Sequence, residues 1–393
     1  MADLKSLNLV GKRVLIRVDF NVPIENGNIT DNTRIRAAIP TIHYVLEQGA
    51  KAVLVSHLGR PKSGASAELS LVQLVRGIEA ALNLPLVFLG DALDPEALAK
   101  WNEMPQGSVG LLENLRFHPE EEAGDEGFAQ RLAAFADVYV NDAFGTAHRA
   151  HASTAIVANF VADKAAGFLM QQELDAVAKV LNQAHRPFTA VVGGAKISSK
   201  IGILKNLIGR ADRFIVGGGM VFTFIKAQGG EIGQSLVEES MVEIAQDFLA
   251  TCAQKGIQVY LPEDSLCSTR FGDDGAVAVY PSNSIPPTHM GLDAGPNAIA
   301  TIENCIASSK TILWNGPLGV FEIPVFAQGT LALGRAIAGA TRQGAYSLVG
   351  GGDSVAAANS LGIAEQLSYV STGGGALLEC MEGRMLPGVA ALV

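Results

Sequence analysis

Residues 188–196, FTAVVGGAK, decide the fold, because here an apolar strand runs directly into a pair of glycines. A glycine between a strand and a helix lets backbone N–H groups approach an anion closely, and the positive end of the helix dipole adds to the attraction. Repeated along one sheet edge, such turns predict a nucleotide-sized site in the second half of the chain. The pattern recurs at 213–220 (RFIVGGGM), 310–319 (KTILWNGPLG), 346–354 (YSLVGGGDS) and 368–376 (SYVSTGGGA).

The apolar strands of the first half end differently. They lead into polar segments that carry Arg, His, Asp and Asn in place of glycine runs, which indicates a pocket for a small, anionic, oxygen-rich molecule. Ligands of open parallel sheets bind outside the carboxyl ends of the strands, so the two halves are expected to present a nucleotide and an acidic small molecule to one another. The segments are 17–23 (RVDFNVP), 56–61 (SHLGRP), 113–118 (ENLRFH) and 141–151 (NDAFGTAHRAH).

The order of elements predicts an α/β protein with two Rossmann-like lobes, each a parallel sheet flanked by helices. Near-continuous Val/Ile/Leu runs are typical of strands buried on both faces, and amphipathic stretches at 71–82 and 241–255 supply covering helices. A chain of 393 residues also exceeds the ~150 residues of one typical domain. Strands are predicted at 13–18, 51–56, 109–113, 137–141, 188–192, 213–216, 257–261, 310–314 and 346–349.

A single helix is expected to join the lobes. Residues 166–184 repeat apolar side chains at helical spacing, and Pro187 marks a stop before the first strand of the second lobe. We therefore assign 1–168 to the first lobe, 169–186 to the connecting helix and 187–376 to the second lobe, with a hinge cleft between the lobes.

Composition excludes several classes of function. No apolar run reaches the ~18 residues of a membrane span, and the first 13 residues lack a hydrophobic signal segment, so a soluble, cytoplasmic protein is expected. The net charge of −10 argues against nonspecific nucleic-acid binding. The 4 cysteines are widely spaced, which indicates neither a zinc site nor a disulfide framework.

The second half offers four candidates for nucleotide chemistry. Lys196 and Lys200 follow a double glycine at a spacing that suits polyphosphate, although two lysines on a solvated helix face would look the same. Asp353 could hold a divalent metal against phosphate oxygens or simply cap a helix. Glu322 could accept both ribose hydroxyls or be an ordinary surface glutamate.

The first half offers candidates for anion binding. Asp19 and Asn21 flank Phe20 at a strand end, so both polar side chains point to one side of an extended backbone. Guanidinium groups suit bidentate binding of carboxylate or phosphate, although any one of them alone is more often an ion-pair partner. His148 and His151 have a spacing that could ligate a metal, but no third ligand is evident, which favours hydrogen bonding. The cationic candidates beyond strand ends are Arg34, His57, Arg60, Arg116 and Arg149.

Taken together, these motifs resemble the phosphoglycerate kinase family. The resemblance runs from Arg17 to Ala376, in the expected order, and adds DNTRIRA, GGAKISSK, LWNGPLGVFE and STGGGA to the segments above. It implies reversible phosphoryl transfer from 1,3-bisphosphoglycerate to MgADP, giving 3-phosphoglycerate and MgATP, in glycolysis and gluconeogenesis. It also implies a monomer of bacterial or plastid type, Mg²⁺ bound with the nucleotide, and a tail at 377–393 that packs on the first lobe.

The resemblance carries site residues over by matching motifs. Charge compensation during transfer would come from Arg34, Lys196 and Lys200. The glycerate substrate would be bound by Asp19, Phe20, Asn21, Arg34, His57, Leu58, Gly59, Arg60, Arg116 and Arg149. The nucleotide would be bound by Gly193, Gly194, Lys200, Gly217, Gly218, Asn315, Glu322, Gly351, Gly352, Asp353 and Ser354, with Asp353 also on the metal.

Two alternatives belong to other classes. A nonenzymatic protein whose lobes close on a ligand does not need paired lysines and a metal-binding carboxylate, and an ATP-dependent turnover assay would distinguish it. A doubly wound dehydrogenase is disfavoured because the G-x-G-x-x-G fingerprint is absent, as is the G-x-x-x-x-G-K-[ST] phosphate loop of many kinases. Nicotinamide binding would reveal the dehydrogenase.

Overall fold

The computed structural model describes residues 2–62, 64–272 and 274–393. The chain divides into two compact units, one reaching Leu174 and including Met385–Val393, the other covering Asp175–Arg384. The division falls inside the helix Phe168–Leu181, whereas the sequence placed that helix between the lobes as a separate element.

The returning tail is shorter than the 377–393 that the resemblance implied. Residues before Met385 stay in the second unit, where the Asn206 side chain donates a hydrogen bond to the Met381 carbonyl over 2.8 Å. Beyond that point the chain joins the first unit, and the Gly388 amide donates to the Ala147 carbonyl over 2.8 Å.

A parallel sheet forms the centre of the first unit. In the part of the chain that the structure describes it has seven strands in the order β1-β9-β8-β2-β5-β7-β6, and β3 and β4 form a separate hairpin. Arg17 at the end of β2 pairs with Val55 of β5 and Asn141 of β8, so the loops after these strands emerge side by side. The strands are β1 Ala2–Asp3, β2 Arg13–Arg17, β3 Ile24–Glu25, β4 Asn28–Ile29, β5 Lys51–Val55, β6 Leu86–Gly90, β7 Val109–Leu112, β8 Val138–Asn141 and β9 Asp163–Ala166.

Helices cover this sheet. Ile35, Ile42 and Val45 of the first helix pack with strand residues such as Ile16 and Leu54 in one apolar core. All five residues of β5 are buried, which is expected of a strand covered on both faces. The helices are α1 Thr33–Glu47, α2 Val75–Leu82, α3 Pro95–Glu103, α4 Pro119–Ala123, α5 Glu126–Ala133 and α6 Phe168–Leu181, which crosses into the second unit.

The second unit repeats the plan. Its parallel sheet, as far as the structure describes it, has six strands in the order β13-β11-β10-β18-β19-β20. Val192 at the end of β10 pairs with Val216 of β11 and Asn315 of β18, which again brings strand-end loops together. The strands are β10 Phe188–Val192, β11 Arg213–Val216, β12 Glu231–Ile232, β13 Gln258–Tyr260, β14 Asp264–Ser268, β15 Val277–Pro281, β16 Ser284–Ile285, β17 Met290–Ala294, β18 Thr311–Asn315, β19 Tyr346–Val349 and β20 Tyr369–Val370.

A smaller antiparallel sheet lies in the same unit, in the order β15-β14-β17. Trp314, Leu333 and Ile337 belong to the apolar core between the parallel sheet and its helices. The helices are α7 Ile201–Leu207, α8 Val221–Ala227, α9 Val242–Gln254, α10 Pro296–Ala307, α11 Gln328–Arg342, α12 Gly352–Ser360 and α13 Gly375–Met381, while α14 Pro387–Ala390 lies in the returning tail.

The predicted α/β class with two parallel sheets is confirmed. Each predicted strand is present within two residues of its predicted bounds, but β6, β9 and the antiparallel strands β14, β15 and β17 were not predicted. The stretch predicted as one helix at 71–82 begins as a 3₁₀ turn, Leu71–Leu74, before α2. No helix in the described ranges combines the length and apolar character needed to cross a bilayer.

Candidate active site

The first unit holds a polar cavity of about 280 Å³ at the carboxyl ends of its central strands. Loops after β2, β5 and β8 and the start of α1 supply its walls, as the polar strand ends of the sequence predict. Arg60 and Arg149 extend its positive charge toward solvent, where they can meet an anion. The lining residues are Asp19, Asn21, Arg34, His57, Gly59, Arg60, Arg116, Gly145, Thr146, His148 and Arg149.

Hydrogen bonds hold the β2 end of this cavity in shape. Arg34 donates to the Asp19 carboxylate over 3.1 Å and to the Asn21 carbonyl over 3.0 Å. The Asn21 side-chain oxygen accepts from the Gly59 amide over 2.9 Å, which joins the β2 and β5 loops. The Arg34 side chain is still 38% exposed, so its guanidinium can engage a ligand.

Arg116 occupies a more enclosed position. Its side chain is only 6% exposed, it donates to the Gly59 carbonyl over 2.9 Å, and its Nε lies 3.2 Å from a Glu122 carboxylate oxygen. Burial, opposed by Glu122, lowers the pKa of Arg116. A desolvated guanidinium with donors left over interacts strongly with an anion.

His57 is held in one protonation state. Its Nδ1 lies 3.2 Å from the Arg17 guanidinium, and because arginine can only donate, Nδ1 accepts and Nε2 carries the proton. Burial, followed by the charges of Arg17, Arg116 and Arg34, lowers the pKa of His57 well below its usual range. His57 is therefore neutral at physiological pH and can donate one hydrogen bond.

A buried network supports Arg17. The Arg17 Nε donates to the Ser153 hydroxyl over 2.8 Å, and that hydroxyl donates to Glu121 over 2.5 Å. Glu121 and Arg17 are each 1% exposed, so the Ser153 hydroxyl links two buried opposite charges. Sequence reasoning passed over Arg17, Glu121 and Ser153, because ordinary charged and hydroxyl residues give no signal of burial.

Two residues assigned to the substrate point elsewhere. The side chains of Phe20 and Leu58 lie in the apolar core of the first unit, so only their backbone groups are near the cavity. His148 lines the cavity and His151 does not. Burial lowers the pKa of His151 to about 4, with help from Arg116 and Arg149, so it is neutral at pH 7.

The second unit holds a larger cavity of about 440 Å³ with mostly apolar walls. Strand β17, helix α8 and the loop after β18 form these walls, and carboxylates stand at their edges. Phe271, 68% exposed, and Leu236, 48% exposed, offer apolar surface to a flat ring. Its apolar lining includes Val221, Phe222, Leu236, Pro262, Phe271, Met290, Leu292, Pro317, Leu318 and Val320, and its polar lining includes Gln234, Ser265, Asp293, Glu322 and Asp353.

The glycines of the strand ends let loops pack against each other. A Cβ at Gly193 would lie 2.0 Å from the Pro317 carbonyl oxygen, and one at Gly217 would lie 2.5 Å from a Leu318 methyl. The amides of Gly193, Gly217 and Gly218 donate to backbone carbonyls. These turns therefore shape the cavity by close backbone approach, whereas the sequence had suggested amides directed at phosphate.

Lys200 and Lys196 occupy different environments. Both precede α7, so they do not share a helix face as predicted. The Lys200 ammonium donates to the Asn315 side-chain oxygen over 2.7 Å, and the Asn315 amide donates to the Gly350 carbonyl over 2.6 Å. Burial, opposed by Asp353 and Glu382, lowers the pKa of Lys200. Lys196 is exposed.

Helix α12 begins at the turn that carries Asp353. Gly351, with φ of +94°, precedes the helix and provides no side-chain cap. The carboxylate of Asp353 accepts no hydrogen bond from the residues that the structure describes, so it is not the helix cap considered above. The buried Ser354 hydroxyl accepts from the Gly316 amide over 2.6 Å, which ties the β18 and β19 loops together.

The apolar walls were missed by sequence reasoning. They come from the unpredicted strands β14 and β17 and from α8, whose apolar residues look like ordinary core residues. Predicted nucleotide residues that line this cavity are Gly194, Gly218, Glu322 and Asp353, whereas Lys200, Gly193, Gly217, Asn315, Gly351, Gly352 and Ser354 lie outside its lining, in the strand-end loops or at the starts of α7 and α12.

Comparison with known proteins identifies the family. The phosphoglycerate kinase family model matches residues 4–384. The chain belongs to the phosphoglycerate kinase family. It is 49% identical over 393 residues to phosphoglycerate kinase of Synechococcus elongatus, covering 100% of this chain and 98% of the relative. It is 50% identical over 389 residues to that of Moorella thermoacetica, covering 99% and 98%.

Solved structures agree. Phosphoglycerate kinase from Coxiella burnetii superposes with a TM-score of 0.90 at 42% identity, covering 99% of this chain and 98% of that one. The enzyme from Pyrococcus horikoshii gives a TM-score of 0.83 at 30% identity, covering 100% and 98%. The chain is therefore a phosphotransferase of glycolysis with a carboxyl group as acceptor, and it passes a phosphoryl group reversibly between 1,3-bisphosphoglycerate and ADP.

Proposed function

We propose that the two cavities divide the reaction between the units. The 280 Å³ cavity binds 3-phosphoglycerate or 1,3-bisphosphoglycerate, and the 440 Å³ cavity with its neighbouring loops binds ADP or ATP. The observation that carries this proposal is the contrast in lining. Arginines and a neutral histidine suit a phosphorylated acid, and an apolar slot beside Glu322 suits a base and its ribose.

Phosphoryl transfer asks the protein mainly for in-line positioning and for cations near the charge on the transferring group. Arg34 faces the first cavity, and Lys200 stands beside the start of α12 in the second unit. The ADP oxygen that attacks is already ionised and the departing carboxylate is stable, so no general base is needed. We assign charge compensation to Arg34 and Lys200, with Lys196 as a more exposed third cation.

Magnesium fits one end of the nucleotide cavity. Asp353 offers an exposed carboxylate, and Mg²⁺ is commonly held by one or two carboxylates together with substrate phosphates. Within the described residues, no three His, Cys, Asp or Glu side chains cluster in a way that could hold a metal without a substrate. Asp353 would therefore hold the ion with the nucleotide, where it would offset phosphate charge.

Closure of the two units is the conformational part of the proposal. Each ligand alone contacts one unit, and a ligand shifts a conformational equilibrium only by its differential affinity for the two states. Both ligands together should therefore be needed for full closure, which also excludes water from the acyl phosphate. Small-angle scattering of the apo, binary and ternary states should give the smallest radius of gyration for the ternary complex, and equal radii would contradict closure.

Calorimetry of two variants tests the division of sites. Val320→Trp places an indole in the second cavity and should weaken MgADP binding at least tenfold while leaving 3-phosphoglycerate affinity unchanged. Arg60→Ala removes a cation from the first cavity and should show the opposite pattern. A variant that weakens both ligands equally, or the wrong one, would contradict the assignment.

The family resemblance alone supports two further proposals, a monomeric state and a cytoplasmic location. Sedimentation should give a mass near the 41.1 kDa of one chain. A mass of two chains or more would contradict the monomer.

A further inference from the structure

Asp293, at the carboxyl end of β17, has no role in the transfer chemistry described above, yet its side chain lies in the wall of the nucleotide cavity. The residue is 4% exposed. One carboxylate oxygen accepts from the Gly329 amide over 2.8 Å, and the other accepts from the Ala294 amide over 2.9 Å. The carboxylate therefore joins a strand that lines the cavity to the first turn of α11.

Helix α11 depends on this distant acceptor for its N-terminal cap. Ala327, the residue before the helix, has no side chain that can accept from the first-turn amides. Asp293 supplies that acceptor from another element. Gly329 has no Cβ, and one built there would lie 2.5 Å from the carboxylate.

The loop after β18 is built against the same carboxylate. A Cβ at Gly319, a cavity-lining residue, would lie 2.2 Å from an Asp293 oxygen. The Val320 amide donates to the Leu292 carbonyl over 2.9 Å, and the Leu318 amide donates to the Thr330 hydroxyl of α11 over 3.1 Å. Strand, loop and helix thus meet around one side chain.

We propose that Asp293 is a positioning residue for the nucleotide, because it seats residues 316–322 and hence the cavity wall and Glu322 against β17 and α11. Its effect passes through backbone that the ligand contacts and not through a role in transfer. The proposal rests on the proposed placement of the nucleotide in the 440 Å³ cavity.

Asparagine at position 293 is the informative substitution. Its shape matches aspartate, but its side chain has one acceptor oxygen and one NH₂ group. Both backbone partners are donors, so one of the two hydrogen bonds is lost and two donors face each other. The helix and the loop should then separate slightly without a large change in core volume.

Asp264 provides a matched control in the same unit. It is 6% exposed, and its two oxygens accept from the Asn297 and Ala298 amides at the start of α10 over 3.2 and 2.8 Å. Gly295 packs against it as Gly319 packs against Asp293. Asp264 does not belong to the lining of the nucleotide cavity, so Asp264→Asn should cost stability alone.

The test is calorimetric titration of the full-length variants with MgADP and, separately, with 3-phosphoglycerate, alongside urea denaturation. Asp293→Asn should raise the Kd for MgADP about tenfold and leave that for 3-phosphoglycerate unchanged. Asp264→Asn should leave both Kd values unchanged at a similar loss of stability. Equal nucleotide Kd values in the two variants would overturn the proposal.

A second pair keeps the proposal testable if Asp293→Asn does not fold. Thr330→Val removes the hydroxyl that accepts from Leu318, and Thr341→Val removes a hydroxyl at the far end of the same helix. Only the former should weaken MgADP binding, by about threefold, and no difference would overturn the proposal. Val320→Trp separates the two levels of failure. Unchanged MgADP binding there refutes the cavity as the nucleotide site, whereas weakened binding with unaffected Asp293 and Thr330 variants refutes this inference alone.

Discussion

The two cavities of this enzyme are built by different means. In the first unit, charged side chains at strand ends make the site, and Arg34, Arg116 and His57 keep fixed orientations through hydrogen bonds to neighbouring loops. In the second unit, backbone and apolar side chains make most of the wall, and glycines let the loops approach. A substitution in the first site should therefore remove an interaction with substrate, whereas one in the second should more often deform a surface.

Replacing Arg34 with Ala should give the largest effect and would sharpen this contrast. A cation that meets charge arising during transfer acts mainly in the transition state, so kcat should fall on the order of a hundredfold or more while MgADP affinity stays unchanged. Arg36→Ala on the same helix is the control, because Arg36 lies outside the 280 Å³ cavity. Steady-state kinetics showing turnover near that of the control would refute the role of Arg34.

The two lysines come next. Lys200→Met should lower kcat/KM for MgATP at least tenfold, because it removes a half-buried cation that Asn315 holds in place over 2.7 Å. Lys196→Met, at an exposed position, should cost less than Lys200→Met. Comparable losses in the two variants would show that the exposed lysine moves into the site on binding.

Asp353→Asn should have a smaller effect, confined to the second site. Removal of a hard anionic ligand should raise the magnesium concentration needed for half-maximal activity several-fold. Binding of 3-phosphoglycerate, measured by calorimetry, should not change, because that ligand is assigned to the other unit. An unchanged magnesium titration would leave Asp353 without a part in metal binding.

The least pronounced effect is expected in the pH dependence of stability. Burial raises the pKa of Asp142 in the first unit to about 6 and that of Asp293 in the second to about 7, from 3.8. The native state thus holds these protons more tightly than the unfolded chain, so stability falls as pH rises from about 4 through those values.

Each carboxyl should contribute on the order of 1 to 3 kcal/mol to that loss. Urea denaturation of wild type and Asp142→Asn between pH 4 and 8 measures it. The variant should show a flatter profile up to pH 6, and identical profiles would contradict a proton held by Asp142. Asp293 should extend the wild-type slope to pH 7.

Sequence reasoning reached the first site more fully than the second, for a physical reason. Arginine and histidine beyond buried strands have few roles, so Arg34, His57 and Arg149 were predicted to bind an anion, and the structure places all three at one cavity. Phe222, Met290 and Leu292 are apolar residues like those of any core. Only the fold shows that they face a cavity.

Long-range partners mark the other limit of sequence reasoning. The carboxylate of Asp293 caps a helix that begins 35 positions later, at Gln328, and Arg17 reaches His57 across two strands. Neither pair has a spacing that predicts contact. Strand order and register decide them, and β17 itself was not predicted.

Hydrogen exchange of the full-length enzyme tests the division of ligands between the units most directly. With 3-phosphoglycerate alone, slower exchange should be confined to peptides covering 17–21, 57–60 and 145–149. With MgADP alone, it should be confined to peptides covering 193–200, 290–294, 316–322 and 350–354. Protection of the first set by MgADP, or of the second by 3-phosphoglycerate, would contradict the assignment of one ligand to each unit.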